Sequence, residues 1–164
     1  MGRMGKFSAS DLKKLQRQLD KVREKDMDAF VEGCAKELAA RLLARVIKRT
    51  PVGDYPKGSG KKGGTLRRGW TSQGSGSGAE GLKTRGAKGY VDSLKINHYG
   101  GYVVIEIVNP VEYASYVEYG HRTADHKGWV KGHFMMTISE QELQEIAPKV
   151  LERKIQKYLE GCMG

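Results

Sequence analysis

The sequence predicts an α+β fold: a small antiparallel β-sheet packed against a long N-terminal helix, with a short central helix and a C-terminal helix. Three patterns carry that expectation. Apolar residues from Met27 to Ile47 recur at helical spacing. Those from Val91 to Val108 alternate on either side of His98-Tyr99-Gly100-Gly101, as in a hairpin. Helical spacing returns from Leu143 to Leu159. A length of 164 residues suits a single domain, 1–164, with a modest core.

In chain order, Ser8 or Ser10 caps a first helix running to about Glu24, striped by Leu12, Leu15, Leu19 and Val22. So thin a stripe needs a partner surface, in its own chain or in a neighbour. Asp26 caps the second helix, which runs to about Arg49. Met27, Phe30, Val31, Cys34, Leu38, Leu42, Val46 and Ile47 form its apolar face. Pro51 stops it, because the residue before a proline is pushed out of the helical region. Two glycine- and lysine-rich segments, 53–64 and 73–90, read as flexible loops. Between them Leu66 to Thr71 is expected to begin the sheet, anchored by Trp70. The strand over 102–108 turns Val103, Ile105 and Ile107 to one face. Asn109 is an N-cap and Pro110 a first helical position, so a short helix is expected over about 110–119, with Glu112 and Glu118 as capping and surface carboxylates. Gly120 supplies a left-handed end to it. A glycine-bounded aromatic loop follows. Ser139 and Glu142 mark the start of the last helix, Pro148 is expected to kink or divide it near Ile146, and Gly161 ends it.

The net charge of +10 and the 22 glycines fit solvated loops, and suit an acidic partner, nucleic acid or plain solubility. Lys57, Lys61, Lys62, Arg67, Arg68, Lys83, Arg85 and Lys88 cluster in the loop region and are the candidate contacts to DNA or to an acidic partner. No helix-turn-helix, zinc finger or aromatic stacking platform accompanies them. Two cysteines are too few for a disulfide framework, and Cys34 on an apolar helix face reads as a small core residue. No run is long enough to span a bilayer and no signal peptide is read, so the protein is expected to be made in the cytoplasm.

Chemistry is sparse. His121, His126 and His133 fall close together beside Asp125, but their spacing matches no standard zinc site. There is no nucleophile elbow and no HExxH, and the glycines of 58–64 lack a Ser/Thr directly after the lysines. The expectation is a protein that is not an enzyme and needs no cofactor or metal.

Three blocks carry a resemblance. Tyr113-Ala114-Ser115-Tyr116-Val117-Glu118-Tyr119-Gly120 resembles the YAxYVExG signature of a tailed-phage tail-component family of tail-completion or neck proteins, which also occurs in defective prophages and tail-like bacteriocins. Thr50-Pro51-Val52 with Gly64-Thr65-Leu66-Arg67-Arg68-Gly69-Trp70 is similar to its TPVxTGxLRxS block. Gly132-His133-Phe134-Met135 is similar to its Pro-x-Phe-Leu/Met entry into a C-terminal helix. The chain departs in inserting residues 53–63 and in placing Lys131 where proline is usual.

The resemblance implies a structural virion protein of the head–tail junction, made in the bacterial host. It would assemble as a homo-oligomeric ring between a connector or adaptor and a tail terminator or tail-tube protein, contacting no membrane. Tyr113, Tyr116, Tyr119, His121, Arg122, Trp129, His133 and Phe134 are then the interface candidates, although the tyrosines also suit packing within the chain. The alternatives are a basic DNA-binding or DNA-packaging accessory protein and, behind it, a small metal-dependent enzyme.

Overall fold

The computed structural model describes residues 24–71 and 86–163, together with Ser10, Lys13, Lys14 and Arg17, which are helical. The predicted Leu12, Leu15, Leu19 and Val22 stripe lies outside the described residues.

Two long helices form the spine. Helix α1 is Glu24–Arg49 and helix α5 is Met135–Met163. They run antiparallel: the Phe30 and Tyr158 rings lie 4.5 Å apart at one end, and Arg45 and Arg49 both reach Glu142 at the other. Between these points Lys154 Nζ sits 3.0 Å from the Glu37 carboxylate and donates to the Gly33 carbonyl. The Glu37 carboxyl lies below the ordinary carboxylate range, first because Arg41 donates to it and then because Lys154 does. Helix α1 stops at a local device. Thr50 returns both its N–H and its hydroxyl to the Val46 carbonyl, and Pro51 follows.

Helix α5 starts four residues before the predicted Ser139 signal. Ser139 is buried inside the helix, its hydroxyl donating to the Met135 carbonyl, and Glu142 is an ion-pair partner of α1 and not a cap. The helix is not divided at Pro148. That proline is exposed, and contacts with α1 hold the helix on either side of it, through Glu142 before and Lys154 and Tyr158 after.

Two predicted loop or strand segments are helices. Leu66 to Thr71, expected to begin the sheet, is helix α2, Thr65–Gly69, which buries Leu66 and leads into the buried Trp70. Helix α3, Gly86–Ser93, takes the end of the expected 73–90 loop and the start of the expected strand at Val91. Ala87, Tyr90, Val91 and Leu94 recur at i, i+3, i+4 and i+7 and pack on the core, so the period here is helical. Residues 73–85 of that loop lie outside the described residues. The 53–64 segment carries no helix or strand.

Among the described residues the β structure is two separate antiparallel hairpins. Strands β1, Asn97–Tyr99, and β2, Tyr102–Val104, pair across Gly100-Gly101, where Gly100 takes the positive φ such a turn requires. Pairing ends at Val104, where strand was expected to Val108. The alternation nonetheless persists: Val103, Ile105 and Ile107 turn toward Leu38 and Leu42 of α1 and Met136 of α5. The second hairpin joins β3, Gly120–Arg122, to β4, Trp129–Lys131, and replaces the expected aromatic loop. Ala39, Leu43 and Val46 of α1 make the centre of the core with Leu66, Trp70, Tyr90, Val91 and Met135.

Candidate functional site

The three sequence blocks meet in space. At the end of α1 the Thr50 carbonyl accepts two hydrogen bonds from Arg67, at 3.1 Å from Nε and 2.7 Å from Nη2. The fully buried Thr50 hydroxyl accepts a third from Trp70 Nε1 at 2.7 Å. Asn109 then ties α2 to the central segment, donating to the Leu66 carbonyl at 2.8 Å while its side-chain oxygen accepts the Val111 N–H. Gly69 is buried against it, where a Cβ would collide with Asn109 Oδ1.

The second knot is Glu118. It lies on helix α4, Ala114–Tyr119, which is shorter than the expected 110–119, because Asn109 closes a turn through Val111 before the helix begins. Glu118 is not a surface carboxylate. It is 6 % exposed, and its oxygens accept the Met136 and Thr137 N–H groups at 3.0 Å each and the Thr137 hydroxyl at 2.8 Å. Those N–H groups belong to the first turn of α5, which has no partner for them of its own, and the helix dipole favours a negative charge there. One helix therefore caps another, at residues 18 and 19 positions further along the chain. Main-chain bonds reinforce the joint: His133 N–H donates to the Val117 carbonyl at 2.8 Å and Phe134 N–H to the Glu118 carbonyl at 3.0 Å. Phe134 takes a positive φ, and Gly132 lies so close to the Glu118 carbonyl that a Cβ would overlap it. Local capping rules do not look this far along a chain. The available signal was the resemblance itself, since Glu118 and Thr50 are both fixed letters of its motifs.

Outside this latch lies a cleft of about 270 Å³. Val52, Tyr55 and Gly63 form one wall, Tyr113, Tyr116 and Val117 of α4 a second, and His121, Val130, Lys131 and His133 the hairpin side. The tyrosines point outward: Tyr116 is 59 % exposed and Tyr119 63 %, as is Trp129 on β4. The Tyr116 and His121 rings lie 5.8 Å apart. Gly120 is held in a positive-φ but extended conformation and not as a left-handed helix end, so the chain passes directly into β3. The Trp129 indole lies over that glycine. Of the eight interface candidates, Tyr113, Tyr116, His121 and His133 line the cleft, Tyr119, Arg122 and Trp129 are exposed, and Phe134 is half-buried in the joint.

The basic residues do not act as one set. Arg67 is turned inward onto Thr50, and Arg68 donates to the Gly63 carbonyl. Lys57, Lys61 and Lys62 are exposed on one loop, with Lys61 Nζ 5.9 Å above the Tyr55 ring, and Lys88 is exposed on α3. Lys83 and Arg85 lie outside the described residues.

Asp125 and His126 belong to the tip of the second hairpin. Asp125 accepts from the Thr123 hydroxyl and the Lys127 N–H, which hold its carboxyl below the usual range. Among the described residues no three His, Cys, Asp or Glu side chains converge as metal ligands, and no helix is long and apolar enough to cross a membrane. Cys34 is buried, and burial pushes its thiol pKa up.

No curated protein and no solved structure matches the chain. A family model, HK97-gp10-like, does match, over residues 13–120, under the description "Bacteriophage HK97-gp10, putative tail-component". The matched span contains both the Thr50–Trp70 block and the α4 signature, whose residues build the latch and one wall of the cleft. The chain therefore belongs to the HK97-gp10-like family of bacteriophage tail components.

Proposed function

We propose that this protein is a neck or tail-completion component of the virion, placed at the head–tail junction and assembled as a homomeric ring between connector and tail tube. It makes and breaks no bond. The observation that supports this reading is the aromatic surface on α4 and the second hairpin, fixed in place by the latch and left uncovered by the described residues. Exposed apolar patches on soluble proteins mark contact surfaces, and Tyr and Trp are favoured at their energetic centres. Particles purified from a lysate test it. Labelled antibody should decorate the top of the tail, and averaged images should show cyclic symmetry there. Absence of the chain from complete and partial particles alike would end the proposal.

Lys57, Lys61 and Lys62 support a subsidiary role, contact with DNA passing through the ring. Each phosphate contact adds about 0.9 to the slope of log affinity against log salt on duplex DNA. Loss of that slope on replacing all three by Gln would identify the loop as the contact. A slope left unchanged would remove it.

A further inference from the structure

We propose that neighbouring copies join head to tail, the Leu151–Ile155–Leu159 stripe of one copy's α5 lying across the cleft beside α4 of the next. This rests on the ring reading above and specifies which surfaces meet. Two apolar features lie open on the described surface. One is the cleft, with Val52, Tyr113, Tyr116 and Val130 exposed around it. The other is a shallow groove along α5 formed by Pro148, Leu151, Ile155 and Leu159, with Ile155 and Leu159 nearly half exposed.

Their charges are complementary. Lys62 and Lys131 stand around the cleft. Glu152 and Glu160 line the groove, and Glu145 follows on the same flank by helical spacing; Lys149 and Arg153 are interleaved on that flank but do not line the groove. The cleft has room for the ends of a few aliphatic side chains and not for a whole helix, so α5 would lie over its mouth.

One copy's α5 stripe does not reach its own cleft. The start of α5 is tied to Glu118 beside the cleft, and Ile155 lies 20 residues further along a helix, about 30 Å away. The two surfaces are also different, so the contact can run head to tail, which generates a ring when the rotation closes. A reciprocal exchange of the same two surfaces would instead make a two-fold dimer, and the linkage test below would then stop at the dimer.

The test uses the full chain carrying Cys162→Ser, with Val130→Cys and Leu159→Cys introduced separately and together, in particles or assembled rings. Mild oxidation should give the double variant a ladder of linked species at successive multiples of the chain mass. Each single variant should give nothing above a dimer. In parallel, Lys131→Glu and Glu152→Lys should each lower incorporation into particles roughly tenfold, and the two together should restore it.

Intact assembly with no ladder and no response to charge reversal would overturn this interface and leave the ring reading standing. So would a link from Leu159→Cys to a different tail protein, or, in a further variant carrying Leu19→Cys with Leu159→Cys, a link between those two within one chain. A chain that stays monomeric and is missing from every particle would overturn both.

Discussion

Glu118 and Tyr119 are neighbours in sequence and opposites in the fold. Glu118 is enclosed, with three donors on its carboxylate, while Tyr119 is 63 % exposed and holds nothing in place that the structure describes. The division runs through the whole signature. Its inner half, Val117, Glu118 and Gly120, joins α4 to the hairpin and to α5. Its outer half, Tyr113, Tyr116 and Tyr119, faces solvent. A single run of eight residues thus combines a fold-holding side with a side available to a neighbour. Substitutions on the two sides should separate stability from assembly.

The largest stability effect is expected at the inner side. Glu118→Ala leaves two α5 N–H groups and the Thr137 hydroxyl without their acceptor in a closed site, and should cost about 3 kcal/mol. The fall in urea midpoint measures it, and Glu118→Gln should recover some of the loss. A cost below about 1 kcal/mol would mean that α5 is held by its packing on α1 alone.

Gly132→Ala comes next. Its Cβ would meet main-chain atoms of Glu118 and Tyr119, which cannot swing away as a side chain can. About 2 kcal/mol is expected, read from the same midpoint. Trp70→Phe keeps most of the buried ring but removes the donor to the Thr50 hydroxyl, for about 1 kcal/mol.

On the outer side the order reverses. Tyr116→Ser and Tyr119→Ser should change the midpoint by no more than about 0.5 kcal/mol, while particle yield falls roughly tenfold. A large stability loss with normal particles would erase the distinction between the two halves.

The smallest effect lies away from the signature, at Glu37. A carboxyl held more acidic in the folded chain stabilises the fold at every pH above its unfolded value, about 4.3, and that contribution is lost as pH falls through the lower folded value. The midpoint difference between the natural chain and Glu37→Gln should therefore be present at pH 7 and close toward pH 3. It should be small, because the pair is partly solvated.

Periodicity made the spine legible. Helix α1 itself, the Gly100-Gly101 turn and the facing of Val103, Ile105 and Ile107 all appear in the fold, although the buried face of α1 centres on Ala39, Leu43 and Val46 while Met27 and Val31 of the expected face are exposed. What escaped was structure set by distant partners. Leu66 and Trp70 could be taken for strand residues until Thr50 and Asn109 are seen to fix the chain around them in a helical turn. The β3–β4 hairpin has three-residue strands, too short for alternation to register, and a tip held by Thr123 and Asp125. Glycine-rich flanks hid α3, whose Ala87, Tyr90, Val91 and Leu94 spacing gains meaning only against α1. At the site, the outward tyrosines were named from sequence, but the buried role of Glu118 was not, because its partners lie in another helix.

Besides the Thr50 hydroxyl and the Glu118 carboxylate, the joints around α2, α4 and α5 end on peptide carbonyls: those of Thr50, Leu66, Val117 and Glu118. Every residue type offers such an oxygen. The exposed side chains of the same stretch, Tyr113, Tyr116 and Tyr119, can therefore be exchanged without disturbing the frame. A lineage thereby gains a way to refit its particle to an altered neighbour through successive changes at exposed positions.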